Sequence, residues 1–221
     1  MQTASSIEVT SASLLPMIQN PEEIYRGNLV YYFKTVFLNA KNLNHPYHNF
    51  RHSFHVPVLC YDACLYYPAE LTHAGKRGLL IAGMFHDFDH SGKTGNDGAQ
   101  IQRAVEGLER HILREDRELQ SYIVSLIRMT QFPYMVPSNQ LDLLGQIIRD
   151  ADMAQCLSPV WIQQTIFGLA AEAGKSPLEM LHKQPEFLAQ LKFSTDWAKE
   201  RFNHLIEARQ EEVAALLSFL N

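Results

Sequence analysis

The sequence predicts an all-α protein built as a single domain over residues 1–221. Helix-start signals and helical apolar periodicity recur along the chain, whereas the alternating pattern of β-strands is almost absent. A length of 221 residues suits one domain with a sizeable core. No repeat, low-complexity tract or long linker marks a second domain.

The predicted helices follow one another with short breaks. Asn20, Pro21 and Glu22 form a helix-start signal, and the apolar residues after it run to about Leu43. Further helices are predicted at about 52–67, 74–88, 98–113, 116–131, 138–153, 159–173, 177–192 and 194–219. The last helix carries an apolar stripe, which is expected to pack on the domain although a homodimer seam would look the same: Ile206, Val213, Leu217 and Leu220.

Composition and charge exclude several classes of protein. Hydrophobic residues make up 46% of the chain and charged residues 19%, which is typical of a soluble globular protein. The net charge of -5 argues against a nucleic-acid partner, whereas a small phosphorylated substrate stays compatible if a metal supplies local positive charge. Cys60, Cys64 and Cys156 form no disulfide framework, and the first two are interpreted as core residues. With no secretion signal or membrane span expected, the protein is interpreted as cytoplasmic, without a membrane partner.

Histidine and aspartate residues recur at helical spacing in the first half of the chain. His48 and His52 are four residues apart, as are His86 and His90, so each pair can face one cavity. Asp87 follows the apolar run GLLIAGMF, where a buried and unpaired carboxylate would be unfavourable. A divalent cation removes this difficulty, and mixed imidazole and carboxylate ligands suit Zn, Mn, Fe or Mg. A lone buried histidine is more often a hydrogen-bonded core residue, so the prediction depends on the conjunction of both motifs.

A metal site of this kind needs a further carboxylate, and the segment QIIRDADMAQ offers two. Asp150 and Asp152 both flank the apolar stripe of the predicted helix. Helical spacing alone does not choose between them.

Three segments of the chain resemble the HD-domain metal-dependent phosphohydrolases, and among them the catalytic domain of 3′,5′-cyclic-nucleotide phosphodiesterases. YHNFRHSFHV at 47–56, HDFDHSG at 86–92 and ADM at 151–153 are similar to that family's YHNxxHxxxV, HDxDHxG and ADL-type segments. The motif core spans about 45–155, and the predicted helices at 159–219 would complete the pocket. The resemblance implies an all-α bundle with a metal centre in its core.

The resemblance also implies roles for individual residues around two divalent metal ions. His52, His86, Asp87 and Asp152 would bind the first metal, with Asp87 bridging to the second. His48 would be the general acid. A carboxylate that orients His48 is expected as well, but the sequence does not identify it.

Other assignments from the resemblance lie further from the motifs or depart from them. His90 would lie near the second metal and the phosphate, and Glu109 is similar to the glutamate that holds metal-bound water. Gln190 and Phe193 are the nearest match to a QxGF purine-binding segment, with Lys192 in place of glycine. The alternative for that segment is an ordinary amphipathic helix. His55 stands where the family usually has Asp or Asn.

The implied activity is hydrolysis of cyclic AMP or cyclic GMP to the 5′-monophosphate. Two metals about 3.5–4 Å apart activate water and neutralise phosphate oxygens, and a histidine general acid contributes about 10²–10⁴-fold. One alternative is a phosphomonoesterase resembling a 5′-nucleotidase, which would release inorganic phosphate. The other is a catalytically inactive regulatory HD module, which is expected to have lost metal ligands that this sequence keeps.

Overall fold

The computed structural model describes residues 29–93 and 95–220, and this part of the chain contains helices and no strand. The all-α prediction is therefore confirmed, while the predicted helix start at Asn20 lies outside the described residues. The α-helices of the described part are α1 (Leu29–Asn39), α2 (Phe50–Tyr66), α3 (His73–Phe85), α4 (Asp97–His111), α5 (Gln120–Met129), α6 (Leu143–Met153), α7 (Ala170–Glu172), α8 (Pro177–Gln190) and α9 (Asp196–Leu220).

Three of the predicted helices contain non-α segments. Short 3₁₀ segments precede α5 at Arg114–Leu119 and α6 at Ser138–Gln140, and another follows α6 at Ala154–Leu157. The predicted helix at 159–173 is mostly a π-helix, Ile162–Leu169, continued by α7. A side-chain cap explains one of these boundaries, since Asp142 accepts from the Gly145 N–H and starts α6 after the 3₁₀ segment.

Helix α3 occupies the centre of the fold. It packs against α1, α2, α4, α5 and α6, and every residue from Leu79 to Phe85 is buried. This environment explains why the segment is apolar on all sides rather than on one face. The motif that begins at His86 therefore starts at the end of the most deeply buried helix.

The C-terminal helices α8 and α9 pack on each other, and α9 also contacts α2 and α6. Along the predicted stripe of α9, Val213 is buried and Ile206 and Leu217 pack against the core, whereas Leu220 is exposed. The stripe thus packs mainly on its own domain, as expected. No described helix has the length and apolar character needed to cross a membrane.

Candidate metal centre and its cavity

Four predicted ligands meet where α2, the end of α3 and α6 come together. Asn49 caps α2 by accepting from the His52 N–H at 3.2 Å, which places His52 in the first turn. His86 and Asp87 follow α3 directly, and Asp152 lies in the last turn of α6. Three helices that pack through apolar faces therefore bring two imidazoles and two carboxylates to one point.

The imidazole nitrogens and carboxylate oxygens of this cluster lie 3.1–3.9 Å apart. His52 Nε2 lies 3.1 Å from Asp87 Oδ2 and 3.2 Å from Asp152 Oδ1. His86 Nε2 lies 3.2 Å from Asp87 Oδ2 and 3.9 Å from Asp152 Oδ1. Both imidazole side chains are about 1–2% exposed, so bulk water has almost no access to either ring.

The hydrogen bonds around the cluster test whether a cation fits. His86 Nδ1 lies 2.8 Å from the Gly83 carbonyl oxygen, and it must carry the proton because that oxygen only accepts. The His86 Nε2 lone pair then faces His52 Nε2 at 3.4 Å. Within residues 29–93 and 95–220, Asp87 Oδ2 is buried without a hydrogen-bond partner although two imidazole nitrogens lie close to it. Donor atoms whose lone pairs converge in this way fit a divalent cation of the Zn, Mn, Fe or Mg type.

The titration of these groups follows from their mutual proximity. Burial lowers the pKa of His52, but the adjacent carboxylates of Asp152 and Asp87 outweigh burial and raise this pKa to about 10. Burial alone would raise the pKa of Asp87, but the His86 and His48 imidazoles hold it well below its usual range. When no cation is bound, a proton on His52 supplies the positive charge instead. Metal binding therefore competes with protonation of His52.

Asp150 is separated from this cluster, and the structure explains why. It is buried and accepts hydrogen bonds from the N–H groups of Ser194 and Thr195 and from the Thr195 hydroxyl, at 2.7–3.1 Å. These bonds hold the chain at the start of α9. Of the two carboxylates that the sequence left open, Asp150 is structural and Asp152 faces the other predicted ligands.

A second polar cluster lies beside the first and contains His48. Its Nδ1 lies 2.5 Å from Glu172 Oε2, and Glu172 Oε1 accepts from the N–H groups of Tyr47 and His48 at 2.8 and 2.9 Å. Burial alone would raise the pKa of Glu172, but these hydrogen bonds lower it to about 2. Glu172 is the orienting carboxylate that the sequence could not identify.

His90 completes this second cluster. Its ring stacks on the His48 ring, with centroids 3.6 Å apart and planes 23° apart. The Gly92 N–H donates to His90 Nδ1 at 3.1 Å. Burial lowers the pKa of His90 to about 4, so the ring is neutral at pH 7. The structure thus places His90 next to His48, while its predicted relation to a second metal stays a prediction.

The π-helix brings Glu172 within reach of His48 through a close backbone contact. At Gly168 an added Cβ would lie 2.3 Å from the Pro46 carbonyl oxygen, so only glycine allows this approach. Gln164, on the same π-helix, lies 3.3 Å from the Asn49 amide nitrogen and accepts its hydrogen bond. Both contacts hold the Pro46–Asn49 segment against the element that leads to Glu172.

A cavity of about 490 Å³ lies over both clusters. Its polar wall includes His48, His52, Asp87 and Asp152, and α8 contributes much of the opposite wall. The residues of α8 that line it are Met180, Lys183, Gln184, Glu186, Phe187 and Gln190. Of the C-terminal segments predicted to complete the pocket, α8 thus contributes most lining residues, and the π-helix adds Thr165 and Leu169.

Of the predicted site residues, His86 and His90 belong to the clusters without lining the cavity, and two others belong to neither. Glu109 is exposed on α4, where no contact links it to the clusters. Phe193 lies beyond the end of α8, is 6% exposed and packs against Phe202 with ring centroids 5.3 Å apart, so it is a core residue. Gln190 does line the cavity, but the aromatic residue near it there is Phe187 rather than Phe193. The assignments of Glu109 and Phe193 are therefore corrected.

Sequence reasoning missed Asn42, which is fully buried between the two motifs. Its Nδ2 donates to the His48 carbonyl oxygen at 2.8 Å, and its Oδ1 accepts from the Asp89 N–H at 3.1 Å. This one amide fixes the segment of His48 relative to the segment 86–90. An isolated asparagine before the first motif gave no signal for such a role.

Comparisons with known proteins add no assignment. No protein-family model matches the chain, and no curated protein matches its sequence. The case for a function therefore depends on the geometry of the two clusters and their cavity.

Proposed function

We propose that this protein is a metal-dependent hydrolase that cleaves a phosphodiester bond in a small nucleotide. The proposed substrates are 3′,5′-cyclic AMP and cyclic GMP, and the proposed cofactor is a pair of divalent metal ions. The observation that carries the proposal is that His52 and His86 meet at a buried Asp87 oxygen with no hydrogen-bond partner among the described residues, with Asp152 at 3.2 Å from His52 and 3.9 Å from His86. The resemblance of the three sequence motifs to cyclic-nucleotide phosphodiesterases supports the same function.

The four converging side chains would hold the first metal, with Asp87 shared with the second. When bound, such metals supply an activated water molecule and neutralise the non-bridging phosphate oxygens. The hydrogen bond of His86 Nδ1 to Gly83 keeps its Nε2 free for this role. The low exposure of His52 and His86 keeps competing water out of the cluster.

His48 is the proposed general acid. Glu172 holds the Nδ1–H of His48, so Nε2 is the nitrogen that can give a proton to the departing sugar oxygen. The stacked and neutral His90 ring limits rotation of the His48 ring. A histidine that a carboxylate holds in position can act as a general acid or base. We expect this role of His48 to contribute about 10²–10⁴-fold in rate.

The cavity supports a substrate with an apolar, ring-shaped part. Its volume of about 490 Å³ falls within the roughly 300–1,000 Å³ typical of small-molecule sites. Phe187 and Met180 supply an apolar surface, and Gln184 and Gln190 supply amides that can pair with the edge of a base. These residues replace the predicted pair of Gln190 and Phe193 as the candidate base site.

A turnover assay tests the proposal directly. The purified protein is incubated with Mn²⁺ or Mg²⁺ and either cyclic AMP or cyclic GMP, and the products are separated by chromatography. Formation of the 5′-monophosphate is the expected result. Release of inorganic phosphate from nucleoside monophosphates, without turnover of either cyclic nucleotide, would replace the proposal with a phosphomonoesterase. No turnover of any phosphate ester by a protein that holds metal would indicate a regulatory module.

Variants separate the proposed roles. Asp152→Asn is expected to lose bound metal and activity together, because it removes a ligand charge. His48→Ala is expected to lose about 10²–10⁴-fold in kcat while its metal content, measured by elemental analysis, stays unchanged. Glu109→Gln is the matched control, since its exposed carboxylate should affect neither measurement. Equal loss of metal in His48→Ala would contradict the division into metal ligands and general acid.

A further inference from the structure

A second cleft lies on the other side of the segment 86–90 and shares no lining residue with the candidate active site. Its volume is about 420 Å³, and its walls are polar. Lys41, Arg103 and Arg110 contribute three cationic groups, and Asp89 and Glu106 contribute two carboxylates. The cleft is thus built from α1, α4 and the loops beside them, without any part of α8.

The carboxylates of the cleft are already engaged by the protein. Asp89 Oδ1 accepts from the Lys41 backbone N–H at 3.0 Å, and its Oδ2 lies 3.3 Å from Arg110. Glu106 accepts from the Gln102 side chain at 3.2 Å. Asp89 also has a φ of 61°, an unusual conformation for a residue with a side chain, and these contacts hold it there. Its carboxylate is therefore fixed and does not turn towards Arg103.

Two cations of the cleft have no such engagement. Across residues 29–93 and 95–220, the side chains of Lys41 and Arg103 make no ion pair. Arg110 pairs with Asp89 at 3.3 Å, but its side chain is 52% exposed, so its remaining N–H groups are accessible to an anion in the cleft. Three positive groups and two carboxylates thus line a concave surface, which keeps one net positive charge and two cations without an ion-pair partner in the described part of the chain, and this favours binding of an anion.

We propose that this cleft is a binding site for a phosphate group, contacted by Lys41, Arg103 and Arg110. A phosphate carries about -1.5 to -2 charges at pH 7 and several acceptor oxygens, which matches three neighbouring cations better than a single carboxylate would. A nucleic-acid strand fits poorly, because the chain as a whole carries a net charge of -5. The phosphate group is either inorganic phosphate or the phosphate of a small nucleotide. This site is independent of the proposed hydrolysis.

Calorimetric titration of the purified protein with inorganic phosphate, and separately with adenosine 5′-monophosphate, tests the proposal. Arg103→Ala and Lys41→Ala are each expected to weaken binding about tenfold or more, the effect of losing a charge-assisted hydrogen bond. Arg117→Ala is the matched control, because Arg117 is exposed outside the cleft and should not affect binding. Tighter binding of the nucleotide would identify it as the source of the phosphate group, and equal binding would show recognition of the phosphate alone.

A variant of the candidate metal centre separates the two sites. Asp152→Asn leaves the cleft intact, so phosphate binding that survives in Asp152→Asn and is lost in Arg103→Ala supports the cleft. Binding lost in Asp152→Asn and kept in Arg103→Ala would place the phosphate at the metal centre and overturn the proposal. Absence of any phosphate binding to the unmodified protein would overturn it as well. Because every readout is binding, the outcome does not depend on whether the protein hydrolyses cyclic nucleotides.

Discussion

One buried cluster of charged residues lies near the start of helix α3, and another lies at its end. The two clusters differ in how many hydrogen bonds their buried carboxylates accept. Near the start, Asp116 accepts from Arg77 at 2.6 and 2.8 Å and from the Tyr32 hydroxyl at 2.8 Å. At the end, Asp87 Oδ2 has no hydrogen-bond partner in spite of two imidazoles within 3.2 Å.

The difference separates structural charge from functional charge. A buried carboxylate surrounded by donors, as Asp116 is, needs nothing further and holds elements together. A buried carboxylate left with an unpaired oxygen among other lone pairs stores unfavourable energy until a ligand binds. By this criterion Asp150 belongs with Asp116, whereas Asp152 is 21% exposed and is linked to Asp87 mainly through the His52 imidazole, which lies within 3.2 Å of both carboxylates.

The largest effect on stability is expected from Asp116→Ala. It removes the buried acceptor shared by the half-buried Arg77 and the buried Tyr32 hydroxyl, and breaking a buried pair in this way costs about 3–5 kcal/mol in the free energy of unfolding. Urea denaturation measures this loss. Glu118→Ala, on the exposed side of the same 3₁₀ segment, is the control and should change stability little. A loss as small as that of the control would remove the distinction between the clusters.

Asp150→Ala is expected to have the next largest effect, about 1–3 kcal/mol, because it leaves the N–H groups of Ser194 and Thr195 unpaired. Metal content should not change, since Asp150 points to the start of α9. Asp196→Ala removes an exposed carboxylate close by and serves as the control. If Asp150→Ala lost metal as readily as Asp152→Asn, the assignment of Asp150 as structural and Asp152 as a metal ligand would be wrong.

A smaller effect concerns pH. Burial, with a further contribution from the charge on His52, lowers the pKa of His55 to about 4 from an unfolded value near 6.5. Between these values the unfolded chain binds a proton that the folded chain does not, so acidification from pH 7 destabilises the protein. His55→Gln should reduce the loss of unfolding free energy between pH 7 and pH 5 by about 1–2 kcal/mol. His73→Gln, which replaces an exposed ring, is the control.

The smallest effect is expected for Asp87→Asn measured with a chelator present. Without a cation the His86 and His52 imidazoles stabilise the Asp87 charge against the cost of its burial, so neutralising it should lower the free energy of unfolding, but by less than Asp116→Ala does. With Mn²⁺ added, the unmodified protein should gain stability by mass action and the variant should not. A large loss for the variant in chelator would show that Asp87 is structural, as Asp116 is.

The sequence predicted the parts of the site that depend on local spacing. The spacings of His48 to His52 and His86 to His90, with the apolar run before Asp87, are enough to indicate the cluster. The distinction between Asp150 and Asp152 required the motif resemblance, because both flank one apolar stripe. The structure distinguishes the two carboxylates, because Ser194 and Thr195 at the start of α9 donate hydrogen bonds to Asp150.

The parts that could not be predicted depend on contacts between distant segments. Glu172 meets His48 across 124 residues, and nothing local distinguishes it from other glutamates. Gln184 and Phe187 have the same spacing as Gln190 and Phe193, and only the end of α8 at Gln190 shows that Phe187 rather than Phe193 faces the cavity. Glu109 was assigned wrongly to the metal site because the pattern of an amphipathic helix shows which residues are on its polar face. The pattern does not show whether that face meets solvent or a binding site.

The π-helix at Ile162–Leu169 gives the stretch before Glu172 an unusual tolerance of chain length. A π-turn accommodates one more residue than an α-turn, so removing one residue from this stretch would let it relax to an ordinary helix. The helix after the deletion would then keep nearly its present phase, because the lost residue is the one that had widened the turn. A deletion inside an α-helical stretch, by contrast, would rotate everything after it by about 100° and turn the carboxylate partner of His48 away. A chain one residue shorter within the π-helix is therefore expected to keep Glu172 close to His48.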